Sequence, residues 1–243
     1  HEAATPEDIN QMRSLLREAL EAGAVGFSTG RSDNHRTSEG KETPAAEASH
    51  AELTGLAQAF KGLSHGVVQM VSDYNLLKGP AEFEAEFDLV EAIAKASGKS
   101  LSLTWLQRDP GGQQYLRIQD RVEKAVASGL PLFMQTGARG IGVLNGLDAS
   151  FHPFMGFPSY KEVAHLPLAE RATALRDPAR KARILSEKSE RLAGDGSSIP
   201  PLVDILLAKI DMISGRMFPL EATLNYEPSV MESFLVRAKQ KGV

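Results

Sequence analysis

Apolar positions along the first 136 residues follow two alternating rhythms. Ile9, Met12, Leu15, Leu16, Ala19 and Leu20 recur at helical spacing. Thr5-Pro6-Glu7-Asp8 provides an N-cap, a proline at the first helical position and acids in the first turn, so a helix starts here. Gly23 stops it. Ala24-Val25-Gly26-Phe27-Ser28 then reads as a short strand, and a polar stretch from Thr29 to about Thr43 reads as loop. The theme returns three times. Helical patterns over 46–61, 82–97 and 113–128 are followed by apolar runs over 66–71, 100–106 and 130–135, with Gly98 and Gly129 as breaks.

Four helix–strand repeats with strands apolar along most of their length predict a parallel sheet covered by helices. Two families of such sheets exist, the open doubly wound fold and the eight-stranded barrel. No GxGxxG or GxxxxGK[ST] follows any strand, which weakens the nucleotide-binding open sheet. After Gly142 the rhythm breaks. An aromatic and proline-rich stretch over 146–160 precedes helical patterns at 167–175, 178–192 and 202–210, and Pro228 opens a terminal helix. The expected organisation is one domain, with four repeats over about 1–143 and an elaborated, helical loop region over about 144–243.

Composition narrows the function. The chain has 243 residues, 42% of them apolar and 24% charged, which is ordinary for a globular protein. Lys and Arg number 27 against 31 Asp and Glu, and no basic cluster stands out, so no nucleic-acid partner is expected. No apolar run is long enough to span a membrane. Cysteine is absent, which excludes disulfides, thiolate metal sites and a cysteine nucleophile, and fits a cytoplasmic protein. The chain opens on His1 rather than Met, which reads as a piece of a longer protein.

In parallel α/β folds, chemistry collects at the carboxyl ends of the strands. That selects His35 after the first strand, Gln69 and Asp73 after the second, Trp105, Gln107 and Asp109 after the third, and Arg139 and His152 after the fourth. His35 beside Arg36 suits an anionic group or proton transfer; the alternative is a solvated loop. Asp73 and Asp109 suit acid–base work, although each also sits where a helix N-cap would fall, and capping is the favoured reading. Arg139 is placed to grip a carboxylate bidentately, or to form a salt bridge at the sheet rim. His152, among Phe and Pro, is either a site residue or a packed loop histidine. No HxH, HxxxH or HExxH pair occurs, so the chain has no self-contained zinc motif.

The stretch Met12–Gly30, ending Ala22-Gly23-Ala24-Val25-Gly26-Phe27-Ser28-Thr29-Gly30, resembles the N-acyl-D-amino-acid deacylases (D-aminoacylases) of the amidohydrolase superfamily. There, a helix ending in AGAxGFSTG leads into a mid-barrel strand. Gly146-Leu147-Asp148-Ala149-Ser150-Phe151-His152-Pro153-Phe154, Arg176-Asp177-Pro178-Ala179-Arg180-Lys181-Ala182-Arg183-Ile184, Arg216-Met217-Phe218-Pro219-Leu220 and Asn225-Tyr226-Glu227-Pro228 are similar to that family's second half.

The resemblance implies part of a TIM-type (β/α)8 barrel, about its fourth to seventh strands, with a long helical insertion after the last clear strand. It implies hydrolysis of a non-peptide C–N amide bond in a small, N-acyl-amino-acid-like substrate. Zinc in the whole protein would polarise the amide carbonyl and supply hydroxide. The family's early HxH and late catalytic Asp would lie outside this chain. Its fifth strand ends in THMR and its sixth in SHHK; here those strands read Val68-Gln69-Met70-Val71-Ser72-Asp73 and Leu103-Thr104-Trp105-Leu106-Gln107. Trp105 and Leu106 thus stand at the histidine positions of one strand and Gln69 or Val71 at that of the other, so no residue here is expected to bind the metal. His35, Gln69, Asp73, Trp105, Gln107, Arg139 and His152 are expected to line the substrate cavity, with Arg139 or His35 on a substrate carboxylate and Trp105 as an apolar wall. The rival expectation is a non-catalytic binding or assembly module that kept the scaffold and lost the metal. A partial barrel leaves two strand edges bare, which favours a homo-oligomer.

Overall fold

The computed structural model describes residues 2–32, 34–37, 41–75, 79–107, 112–138, 142–149, 152–192 and 213–242. The chain divides into two units, residues 1–35 with 42–136 and residues 36–41 with 137–243.

The first unit is an α/β layer in which every strand follows a helix. Helix α1, Pro6–Glu21, starts at a capping box: the Asp8 amide donates to Thr5 Oγ1 at 3.2 Å and the Thr5 amide donates to Asp8 Oδ2 at 2.9 Å. Strand β1 follows at Gly26–Arg31, then α2 at His50–Ala57, β2 at Val67–Ser72, α3 at Pro80–Ser97, β3 at Ser100–Thr104, α4 at Gln114–Ala127 and β4 at Leu132–Gln135. All neighbouring strands are parallel, in the order β1-β2-β3-β4.

Boundaries differ from the sequence pattern in three informative places. Thr29, Gly30 and Arg31 are strand rather than loop, because they pair with Met70, Val71 and Ser72. The expected helix over 46–61 is interrupted. Pro44–Glu47 and Gln58–Phe60 are 3-10 turns, and Ser49 caps α2 by accepting the Glu52 amide at 3.1 Å. Asp73 caps no described helix; the N-cap of α3 is Gly79.

The sheet has two unlike faces. Val68, Met70, Leu101, Leu103 and Leu132 are buried against Leu20 of α1, Leu53 and Ala57 of α2, Phe83, Phe87, Val90 and Ile93 of α3, and Ile118 and Val122 of α4, in one hydrophobic cluster. Alternate residues point the other way, as the two-residue period of a strand requires. That second face carries Gly26, Ser28 and Gly30 of β1, Val67, Gln69 and Val71 of β2, Ser100, Ser102 and Thr104 of β3, and Phe133 and Gln135 of β4, all half-buried or exposed. Phe133 keeps 57% of its surface in solvent. Within the first unit, the described helices α1 to α4 pack on the face that carries Val68, Met70, Leu101, Leu103 and Leu132. Gly55 lets α1 and α2 approach closely: a Cβ there would lie 2.5 Å from Ile9 Cγ2.

The second unit holds short helices: α5 at Pro158–Lys161, α6 at Leu168–Leu175, α7 at Pro178–Ser186 and α8 at Phe234–Gln240. Helix α7 stops at Ser186, short of the expected 192. Asp177 caps it, accepting the Ala179 amide at 3.1 Å. Glu187 then ties back to α5, taking the Ser159 amide at 3.0 Å and its hydroxyl. The terminal helix begins at Phe234, preceded by a 3-10 turn at Val230–Glu232. The helical pattern at 202–210 lies outside the described residues.

Candidate functional site

Polar side chains gather at the carboxyl ends of β1 and β2. The turn after β1 places Ser32 so that its hydroxyl donates to Asp73 Oδ2 at 2.7 Å, and Asn34 Nδ2 reaches the same oxygen at 3.4 Å. The Asn34 amide donates to Ser32 Oγ at 3.2 Å, and the Asp73 amide donates to the Arg31 carbonyl at 3.1 Å, which locks the two strand ends in register. Asn34 Oδ1 is buried and has no hydrogen-bond partner among the described residues. Asp73 therefore serves as a carboxylate acceptor linking two strand ends, in place of the cap expected from its position. His35 lies over Gly30, whose imagined Cβ would meet His35 Nδ1 at 2.9 Å. The ring is exposed.

Directly beneath this cluster, on the helix-covered side, is an ion pair. Arg31 Nε donates to Glu86 Oε1 at 2.7 Å, and the Ser72 hydroxyl donates to the same oxygen at 2.9 Å. Glu86 is 4% exposed. Arg31 also donates to the Ala48 carbonyl. Tyr74 and Asn75 both adopt φ of +49°, a left-handed turn that is uncommon for a bulky side chain. The Tyr74 amide donates to Ser72 Oγ at 2.9 Å, and its buried ring packs 6.2 Å from those of Phe83 and Phe87. Such a constrained backbone at a strand end fixes the direction in which Asp73 points.

The open face of the sheet supplies an uncharged floor. Ser28 donates its hydroxyl to Gln69 Oε1, and Ser102 donates to Gln135 Oε1 at 3.1 Å, so two hydroxyl–amide pairs bridge adjacent strands. Trp105, just beyond β3, donates its indole N–H to the Tyr115 carbonyl at 2.8 Å and stands 6.1 Å from the Tyr115 ring. It is half-buried, and Gln107 is exposed.

His35 and Asp73 are thus brought to one end of β1 and β2, with Trp105 and Gln107 at the same end of β3, whereas Gln69, expected after β2, lies in mid-strand opposite Ser28. His152 is placed differently, within the second unit. It is buried; its Nδ1 accepts the Phe154 amide at 3.1 Å, and its Nε2 pairs with the Tyr160 hydroxyl at 2.8 Å. With both ring nitrogens engaged, it is a packed structural histidine rather than a cavity-lining one. Its pKa is lowered, first by burial and then by the Arg171 charge. Arg139 and Asp109 lie outside the described residues. Sequence reasoning missed Ser32, Glu86 and Tyr74. Asn75 in a Tyr-Asn turn was the one local hint, since Asn tolerates positive φ better than most residues.

The donors at these strand ends are hydroxyls, carboxamides, the Asp73 carboxylate and one imidazole. The Gln69 oxygen already accepts from Ser28, and the Trp105 nitrogen is bound to a carbonyl. This set does not fit zinc, which takes thiolate, imidazole and carboxylate ligands. No group of three or more His, Cys, Asp or Glu converges among the described residues. No helix among them is long and apolar enough to cross a membrane. No family model matches the chain, and neither the curated proteins nor the solved structures contain a match to it.

Proposed function

We propose that the first unit is part of the wall of a TIM-type (β/α)8 barrel, and that the protein is an amidohydrolase cleaving a non-peptide C–N amide bond in an N-acyl-amino-acid-like substrate. One observation carries the reading. The strands of the first unit run in unbroken order β1-β2-β3-β4, with its described helices on one face and a second face that carries no charged side chain. A doubly wound sheet reverses its strand order and covers both faces, whereas a barrel wall keeps one direction and turns its second face inward. Active sites of barrels lie at the carboxyl ends of the strands, where Ser32, Asn34, His35 and Asp73 meet. In this reading Asp73, held by the Ser32 hydroxyl, lines the substrate cavity. His35 holds the substrate carboxylate, Gln69 and Gln107 line the cavity, and Trp105 walls it. Zinc is implied only by the family resemblance.

The protein, assayed on N-acyl-D-amino acids with and without added Zn²⁺, tests this reading by release of free amine. Asp73→Asn is expected to raise KM by about 10–100-fold, the range for loss of a charge-assisted hydrogen bond worth about 1.5–3 kcal/mol. Absence of both turnover and bound metal would sink it. A second reading, a ligand-binding module on the same scaffold, is favoured by Gln69 and Trp105 standing where the resemblance expects metal-binding histidines. Calorimetric binding of an N-acyl-D-amino acid without turnover would support that alternative.

A further inference from the structure

We infer that Asn145–Gly146 is a self-modifying site, at which the chain converts a neutral asparagine into aspartate and isoaspartate with water as the only co-reactant. The inference concerns local chemistry within the second unit and is independent of the amidohydrolase reading.

The sequence singles this position out. The chain has five asparagines, Asn10, Asn34, Asn75, Asn145 and Asn225, followed in turn by Gln11, His35, Leu76, Gly146 and Tyr226. Asparagine is a thermolabile residue because its side-chain carbon can be attacked by the next backbone nitrogen. A side chain on that next residue hinders the ring closure. Gly146 has none, and its backbone reaches conformations closed to other residues.

The local structure leaves the reacting atoms able to meet. Residues 142–146 belong to neither helix nor strand. The Gly146 nitrogen makes no hydrogen bond among the described residues, although the Gly146 carbonyl accepts the Ala149 amide at 3.0 Å. No atom lies within 4 Å of where a Cβ would stand at Gly146. The side chain of Asn145 makes one long bond among the described residues, from Nδ2 to the Val143 carbonyl at 3.3 Å.

Other asparagines are held. Asn10 lies within α1, where the Gln11 nitrogen is part of the helical ladder, and Arg13 donates to Asn10 Oδ1 at 2.7 Å. Asn34 donates from Nδ2 to Ser32 and Asp73. Asn225 Oδ1 accepts the Glu227 amide at 2.9 Å.

The step balances with water alone. The Gly146 nitrogen gives its proton to a solvent base and attacks Asn145 Cγ. The bond from Cγ to Nδ2 breaks, ammonia leaves, and a cyclic succinimide closes. Water then opens the ring at Cγ to give aspartate, or at the backbone carbonyl of residue 145 to give isoaspartate. In the second product the main chain runs through Cβ and Cγ and is lengthened. Both products carry a carboxylate, ionised at neutral pH, in place of a neutral amide. The new charge falls beside an anchor of this unit, because the Leu147 carbonyl accepts Arg171 Nη1 at 2.6 Å.

The unmodified protein is incubated in oxygen-18 water at mildly alkaline pH and physiological temperature, then digested and mapped by mass spectrometry. Residue 145 is expected to appear as aspartate and isoaspartate carrying one labelled oxygen, with Asn10, Asn34 and Asn225 converting at least about tenfold more slowly. Gly146→Ala is the matched control, since its φ lies outside the left-handed region and its Cβ has room. That variant should melt as the wild type does and convert at Asn145 at least about tenfold more slowly. An intact Asn145, equal conversion at the held asparagines, conversion without uptake of label, or wild-type conversion in folded Gly146→Ala overturns the inference.

Discussion

Replacing Glu86 by Gln keeps its shape and removes its charge, leaving the Arg31 guanidinium without its counter-ion. Glu86 is 4% exposed and the Arg31 side chain 15%, so neither is fully solvated. Breaking a buried pair by removing one partner costs about 3–5 kcal/mol, because the other charge stays desolvated. Arg31 also donates to the Ala48 carbonyl, which retains part of its solvation and places the expected cost near the lower end, about 3 kcal/mol. With a urea m-value of about 2 kcal/mol/M, the midpoint should fall by about 1.5 M. Trp105 is the only tryptophan and stands at the end of β3, so its fluorescence reports unfolding of this unit. The partner experiment replaces both residues, as Arg31→Met with Glu86→Leu. Removing both charges leaves nothing uncompensated, so the double variant should recover most of the loss. A shift under about 0.5 M for Glu86→Gln, or a double variant at least as unstable as it, would refute the argument that the uncompensated charge dominates. The result also bears on the strand-end cluster, because Arg31 supplies the carbonyl that fixes the Asp73 backbone.

Other perturbations have defined signs. His152 is held neutral by burial, so its folded pKa lies below the ordinary 6.5. The unfolded chain therefore binds more protons as pH drops through that value, and the second unit should lose stability below it, by at most about 1.4 kcal/mol per pH unit. Calorimetric melts at pH 7.5 and 5.5 check this, and an equal pH dependence in His152→Gln would contradict it. Gly55→Ala should cost about 1–3 kcal/mol in the urea midpoint, because the new methyl overlaps Ile9; adding Ile9→Ala should make the pair cost less than the two single changes combined. Arg121→Met breaks contacts to Glu84, Asp88 and Glu91 and should cost about 1–2 kcal/mol, since those acids are partly solvated. That difference should shrink in about 1 M salt. If it persists, packing of the guanidinium over the Phe87 ring carries the effect.

The alternation of helix and strand was legible because Gly23, Gly98 and Gly129 punctuate it and each helix shows its apolar period. Its edges were not, wherever pairing outweighs local preference. Thr29, Gly30 and Arg31 read as a polar loop, yet β2 supplies their hydrogen-bond partners. Ser49 with Glu52 three positions on was a readable cap that the longer helical pattern concealed. The candidate site divides the same way. Position at strand ends picked out His35 and Asp73, while Gln69 lies in mid-strand opposite Ser28. Ser32 joins Asp73 from 41 positions away, and that contact depends on the parallel register, which no local pattern encodes. His152 illustrates the opposite error, a chemically able side chain that the fold spends on its own packing.

The order in which the strands pair has a consequence for how the chain is made. Gly26 pairs with Val67, Val67 with Ser100 and Leu101 with Leu132, so partners in the sheet lie 31 to 41 residues apart, a short reach for a parallel sheet. Each new helix–strand segment finds its neighbour already in place as it leaves the ribosome. Assembly can thus keep pace with translation, which adds about 5–20 residues per second. Until its own partner arrives, the latest strand is always the bare one.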